Sequence, residues 1–141
     1  MIKSVGSQKQ LLNWLTLSLI LVLCIIIVGG LTRLTNSGLS ITEWELLKGI
    51  FPPLTQSSWD NYFSLYKEIP QYKILNANMS ISEFKVIFYW EYFHRVLARV
   101  IGIFFLFPLI YFHINKKMQN DFILPCYIIL FLILVQGVVG W

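Results

Sequence analysis

Three long apolar blocks set the terms on which this chain can fold. The first runs from Leu11 to Leu34, interrupted in its body by Asn13, Thr16, Ser18 and the pair Gly29 and Gly30. That suits a bilayer span, which needs about 20 predominantly apolar residues. A signal peptide would carry a shorter apolar core and then a small-residue cleavage site. This block runs on instead into Gly29-Gly30-Leu31-Thr32-Arg33, so residues 11–34 read as a retained transmembrane helix. Residues 122–141, apolar apart from Gln136, make a second such helix, and residues 81–114 contain the third. Composition agrees. With 57% apolar and 13% charged residues, the chain exceeds a soluble domain in the first and has about half the usual share of the second. Backbone groups inside lipid must be satisfied within their own segment, which helices achieve. The expected fold is all-α and membrane-integral, with three transmembrane helices and a long ordered outer loop.

Ser80-Ile81-Ser82-Glu83 reads as a capping box that starts a helix at Ile81. Nothing stops that helix before Asn115, and at 1.5 Å per residue it extends on the order of 50 Å. A hydrocarbon core of about 30 Å needs less, so the first turns must project on the loop side. Pro108 lies in the apolar half, where neighbouring helices make a kink tolerable. Residues 35–80 mix turn formers, among them Asn36, Gly38, Pro52, Pro53 and Pro70, with Trp44, Trp59, Tyr62, Phe63, Tyr66 and Tyr72. Such aromatics suit the headgroup level, and short helices beginning near Ser40 and Ser57 would form a cap. The loop is neither Gly/Ser-rich nor highly charged, which argues for a functional segment over a linker. Lys3 and Lys9 in segment 1–10, and Lys116 and Lys117 in the connection 115–121, place both on the cytoplasmic or matrix side.

The most informative stretch is Glu91-Tyr92-Phe93-His94-Arg95-Val96-Leu97-Ala98-Arg99, where ionisable residues stand at the entry to a span. At about 100° per residue, Glu91, Arg95, Ala98 and Gly102 share one narrow face, with His94 and Arg99 on its shoulders. Each charge at depth costs a few kcal/mol, so these groups must face protein or water. A histidine there can offer an imidazole nitrogen to haem iron, and arginines can pair with propionates. Glu91 can take or give a proton, or orient water. The same residue types also serve as snorkelling anchors at headgroup level, and spacing alone leaves both readings open. Arg33 is likewise a clamp for an anionic group or a snorkelling residue. His113, beside Lys116 and on the order of 28 Å along the helix from His94, reads as an interfacial anchor. Gly29 and Gly30 either allow close packing or loosen a helix end, and Gln136 with Gly137 and Gly140 reads as a packing face. Cys24 and Cys126 are expected to be small buried hydrophobes. The net charge of +4 comes largely from lysines flanking apolar blocks. No aromatic-interleaved basic stripe appears, which excludes a nucleic-acid partner.

Several stretches taken in order resemble haem A synthase. They are Gly29-Gly30-Leu31-Thr32-Arg33-Leu34-Thr35-Asn36-Ser37-Gly38-Leu39-Ser40, Trp44, Pro52-Pro53, Glu83-Phe84-Lys85, Glu91-Tyr92-Phe93-His94-Arg95 and Gln136-Gly137-Val138-Val139-Gly140-Trp141. The chain looks most like the alphaproteobacterial and mitochondrial subgroup, which lacks a loop cysteine pair, as this loop does. The resemblance implies an eight-helix protein of two pseudo-symmetric four-helix bundles, each holding haem between histidines near the outer surface. The N-terminal bundle would take haem O as substrate and the C-terminal bundle haem b as cofactor. The implied reaction oxidises the C8 methyl of haem O to a formyl group, through two hydroxylations and a dehydration, making haem A for cytochrome oxidase. By the same resemblance His94 is an axial ligand to iron, Glu91 a catalytic acid, and Arg33, Arg95 and Arg99 propionate partners. A fourth helix with the partner histidine, and the second bundle, have no counterpart here. The chain is therefore expected to be the N-terminal part of a longer protein, in preference to a decayed gene product, and inactive alone. Expected partners are membrane lipid, haem O, haem O synthase and cytochrome oxidase assembly factors, with self-association left open. The expected location is the bacterial inner (plasma) membrane, before the mitochondrial inner membrane. The alternative from another class is a non-enzymatic haem-binding or oxidase-assembly subunit.

Overall fold

The structure, a computed structural model, describes residues 5–42 and 50–140. Its helices are α1 (Val5–Leu34), α2 (Gln56–Glu68), α3 (Pro70–Leu75), α4 (Ile81–Ile114) and α5 (Asn120–Val139). Among them α1, α4 and α5 are long and apolar enough to cross a bilayer. No strand occurs among the described residues. The chain is thus an all-α membrane protein with three candidate spans.

Local chemistry sets the helix ends. The Ser80 amide donates to Glu83 Oε2 at 2.8 Å and the Glu83 amide to Ser80 Oγ at 3.3 Å, so α4 opens with the reciprocal box read in the sequence. α1 begins at Val5, ahead of the apolar block at Leu11, because Gln8, Lys9 and Gln10 are good helix formers that need no lipid. α1 and α4 end alike. Asn36 and Lys116 both take φ of 52°, and the next amide reaches back, Ser37 to the Thr32 carbonyl and Lys117 to the Phe112 carbonyl, each at 2.9 Å. A left-handed residue followed by this bond satisfies carbonyls that the helix leaves unpaired. Thr55 caps α2, its Oγ1 accepting from the Ser58 amide at 3.2 Å, so the helix expected near Ser57 starts at Gln56. The helix expected near Ser40 is not seen over Ser40–Thr42, and its remainder, with Trp44, lies outside the described residues. α3, with Pro70 in its first turn, was not anticipated. Proline is favoured there because a first-turn position needs no amide donor, so this turn former opens a helix instead.

The chain packs as two compact units, one of Ile26–Val96 and the other of Met1–Ile25 with Leu97–Trp141. In the second, Leu11 and Trp14 of α1 join Phe105, Leu109 and Phe112 of α4, Met118 and Cys126 in one buried cluster. The α4 residues recur at i, i+4 and i+7, the spacing of one helix face. Trp14 packs against Phe105 and Phe112 with ring centroids 4.9 and 5.6 Å away. Pro108 lacks the amide that would pair with the Phe104 carbonyl. Trp14 Nε1 donates to that carbonyl at 3.2 Å, replacing the missing bond. Ser7 Oγ donates to the Lys117 carbonyl at 3.2 Å, so the first turns of α1 lie beside the α4–α5 connection. Cys126 is buried as expected, but Cys24 is exposed, which corrects that expectation. Cys24 falls off the α1 stripe made by Leu11, Trp14 and Ser18, so the helix turns it away from the core.

The central unit is organised by aromatics. Trp59, Phe63 and Tyr66 of α2, again at i, i+4 and i+7, pack on Phe84, Ile87 and Phe88 of α4. Tyr66 and Phe84 are fully buried, with Phe84 5.1 Å by ring centroids from both Phe63 and Tyr66. These are the first turns of α4, the ones a bilayer crossing does not require. Hydrogen bonds fix the cap. Asn76 Nδ2 donates to Tyr66 Oη at 2.8 Å, Tyr92 Oη donates to the Ile50 carbonyl at 2.6 Å, and the Gln71 amide donates to the Asn36 carbonyl.

Candidate functional site

Just past the aromatic cap, α4 presents Glu91, 4% exposed, and one turn later Arg95. A carboxylate taken this far from water costs several kcal/mol unless donors surround it. Here they do. Glu91 Oε2 accepts from Ser40 Oγ at 2.7 Å and from the Ile41 amide at 2.9 Å. Glu91 Oε1 pairs with Arg95 Nη2, and Arg95 Nη2 also donates to the Ile41 carbonyl at 3.3 Å. Ile41 therefore gives its amide to the acid and its carbonyl to the base. The four groups close a ring between α4 and the segment after α1, with Ser40 itself fully buried. In this arrangement the Glu91 carboxylate is an acceptor only, and charge-assisted bonds hold the segment against the helix.

His94 lies on the neighbouring face and is half-buried. Its ring is set against α1: a Cβ built on Gly29 would stand 3.2 Å from Nε2 and 3.6 Å from Cδ2. Arg33 is exposed in the last turn of α1, where a cation suits the helix dipole. Arg99 belongs to the other unit, where its Nη1 is buried with no hydrogen-bond partner among the described residues. The central unit thus brings Glu91 and Arg95 into direct contact and sets His94 in the intervening turn. Of the other residues expected on the Glu91 and Arg95 face, Ala98 is exposed and a Cβ on Gly102 would meet nothing within 4 Å. His113 is exposed and its Nδ1 shares a 2.7 Å hydrogen bond with Tyr127 Oη.

These residues fit a haem group. Among the described residues no three of His, Cys, Asp or Glu gather to ligate a bare ion, whereas iron held by porphyrin nitrogens asks the protein for an axial imidazole. Gly29 leaves space beside the His94 ring that any other side chain would fill. Sequence reasoning found the ionisable residues but not the groups that hold them. In the sequence Ser40 is only the end of a motif and Ile41 an unremarkable loop residue, and the contact of Gly29 with His94 has no local signal.

A helical membrane protein whose span, at its junction with an aromatic cap, carries an imidazole beside a buried acid–arginine pair is the class that this fold and site define. Residues 12–141 match the COX15-CtaA family, described as cytochrome oxidase assembly protein, and the chain belongs to that family. It is 51% identical over 133 residues to a protein named heme A synthase from Pelagibacter ubique. Proteins of the same name from Rhizobium etli and Nitrosospira multiformis are 45% identical over 135 residues and 48% over 134. These matches cover 94%, 96% and 95% of this chain but 40%, 37% and 38% of the relatives. The chain thus spans about two fifths of the length of the curated relatives it matches. No solved structure matches it.

Proposed function

We propose that this chain is the N-terminal part of a haem A synthase, forming the haem O half-site of an oxidoreductase that converts the C8 methyl of haem O to a formyl group. The observation that carries the reading is the half-buried imidazole of His94, set in the turn between Glu91 and Arg95 in a chain of this family. When bound, the haem iron supplies the redox chemistry. His94 would offer an imidazole nitrogen to that iron. Arg33 and Arg95 would offer positive charge to propionates, and Arg99 is assigned with them from the family resemblance alone. Glu91 is the proton-handling group, and donors from Ser40, Ile41 and Arg95 hold its carboxylate in place while one of its roughly four acceptor sites stays open. Haem b belongs to the remainder of the longer protein, without which this part is inactive. The partners are lipid, haem O, haem O synthase and cytochrome oxidase assembly factors. The setting is a bacterial inner membrane, with Lys9, Lys116 and Lys117 on the cytoplasmic side.

The test uses the full-length protein, with its haem extracted and separated by chromatography. His94→Ala should weaken the Soret band. Glu91→Gln retains an acceptor oxygen for Ser40 and Ile41, so it should keep haem bound while haem O accumulates and haem A does not form. A Glu91→Gln protein with unchanged haem composition would instead favour a non-enzymatic oxidase-assembly subunit, the reading suggested by the family description. Purified wild-type protein without a Soret band would sink both.

A further inference from the structure

α1 carries two glycines in succession, each a weaker helix former than alanine, and their surroundings differ. A Cβ on Gly30 would meet nothing within 4 Å, whereas one on Gly29 would lie 3.2 Å from His94 Nε2. That is inside the roughly 3.5–4.0 Å at which heavy atoms attract best, so one side must give. The backbone is the stiffer side: Thr32, itself buried, donates its Oγ1 to the Gly29 carbonyl at 2.7 Å and ties that turn of α1. An imidazole gives way by turning about its side-chain bonds, and no hydrogen bond to this one is seen among the described residues.

We propose that Gly29 is a positioning residue for His94: the side chain it lacks leaves the space beside Nε2, and α1 thereby sets which way the imidazole faces. Nε2 is a nitrogen through which an imidazole can bind iron, so the space over Gly29 is space that an axial ligand needs kept clear. The consequence for haem rests on the ligand role proposed above for His94, but the placement of the ring does not. A methyl at position 29 turns the ring outward, and a larger group turns it further. The same methyl at position 30 does nothing to the ring and improves the helix.

The experiment compares Gly29→Ala, Gly29→Val and Gly30→Ala in the full-length protein. In haem-free protein, the rate at which diethylpyrocarbonate modifies His94 is read on its own peptide by mass spectrometry. Modification should be several-fold faster in Gly29→Ala, faster again in Gly29→Val, and unchanged in Gly30→Ala. If the valine variant does not insert, the two alanine variants carry the comparison, since both favour helix. Equal rates in Gly29→Ala, Gly30→Ala and the wild type would overturn the inference. In loaded protein, the Soret band should shift or weaken in the Gly29 variants in the direction seen for His94→Ala. Faster labelling with a Soret band that even His94→Ala leaves untouched would keep Gly29 as the positioning residue and remove His94 as a ligand. A Soret band lost in His94→Ala, with labelling untouched by Gly29→Ala, would do the reverse.

Discussion

Burying the Glu91 carboxyl takes a charge from water, and three donors supplied by Ser40, Ile41 and Arg95 compensate it. Removing one partner of a buried ion pair costs about 3–5 kcal/mol, because the other charge is left behind. Arg95 is 18% exposed and can recover some hydration, so Glu91→Ala should cost about 3 kcal/mol, the low end of that range. The cost should show as a lower midpoint in chemical unfolding of the solubilised protein, followed by tryptophan fluorescence. Glu91→Gln should cost less, since its oxygen still accepts from the loop. Tyr66 makes the second residue-scale case. Burial pushes its phenol above the ordinary tyrosine range, while the hydrogen bond from Asn76 pulls the other way and the nearby Glu91 adds to the rise. An acid with a raised folded value stabilises the fold fully below its unfolded value, about pH 10, and loses that contribution as pH climbs through the folded value. The cap should therefore weaken in strong alkali, and Tyr66→Phe should remove the latest component of the tyrosinate absorbance titration. Loss of amplitude from the main component instead of the latest one would mean that Tyr66 ionises with the other tyrosines.

Among the elements, α4 depends most on help from outside itself. Pro108 frees the Phe104 carbonyl and Trp14 of α1 supplies a donor for it. Trp14→Phe keeps the aromatic packing on Phe105 and Phe112 but leaves that carbonyl unpaired, a loss of about 1–3 kcal/mol. Pro108→Ala restores an amide within α4, so Trp14→Phe should cost clearly less in that background. A double-mutant cycle on the unfolding free energy measures the difference, and strict additivity would show that the indole bond is idle. Trp59, Phe63 and Tyr66 recur at helical spacing, but the sequence reads them only as headgroup-level aromatics, whereas the structure buries them against α4. Their pairing with Phe84 and Phe88 was not legible, since nothing in a periodic stripe names the surface it will meet.

For the whole molecule, the large apolar surface left exposed is the main physical fact. Along α5 only Cys126 is buried, while Leu124, Phe131, Leu132, Leu134 and Val138 are exposed. A helix apolar all round takes lipid or further helices as its surroundings. The contact of Ser7 with the Lys117 carbonyl puts the start of α1 and the α4–α5 connection at one end of their unit. With Cys24 and Cys126 replaced by alanine, single cysteines at Gln8, Asn115 and Ser57 report sidedness in intact cells. A membrane-impermeant thiol reagent should label the cysteine at 57 and spare the other two. Labelling at 8 or 115 would reverse the orientation drawn from the lysines.

What the sequence by itself determined is what local rules encode. Spans follow from the length of apolar blocks, the start of α4 from Ser80 and Glu83, and the site's ionisable residues from their improbable place at the edge of a span. Only the tertiary structure decided which groups hold those residues. Ser40 lies 51 residues before Glu91 and Trp14 lies 90 before Phe104, and Gly29 meets His94 from another helix. Each of these contacts satisfies a polar group or clears a space that arises only when two distant segments pack together. No periodicity or capping rule within either segment carries that information.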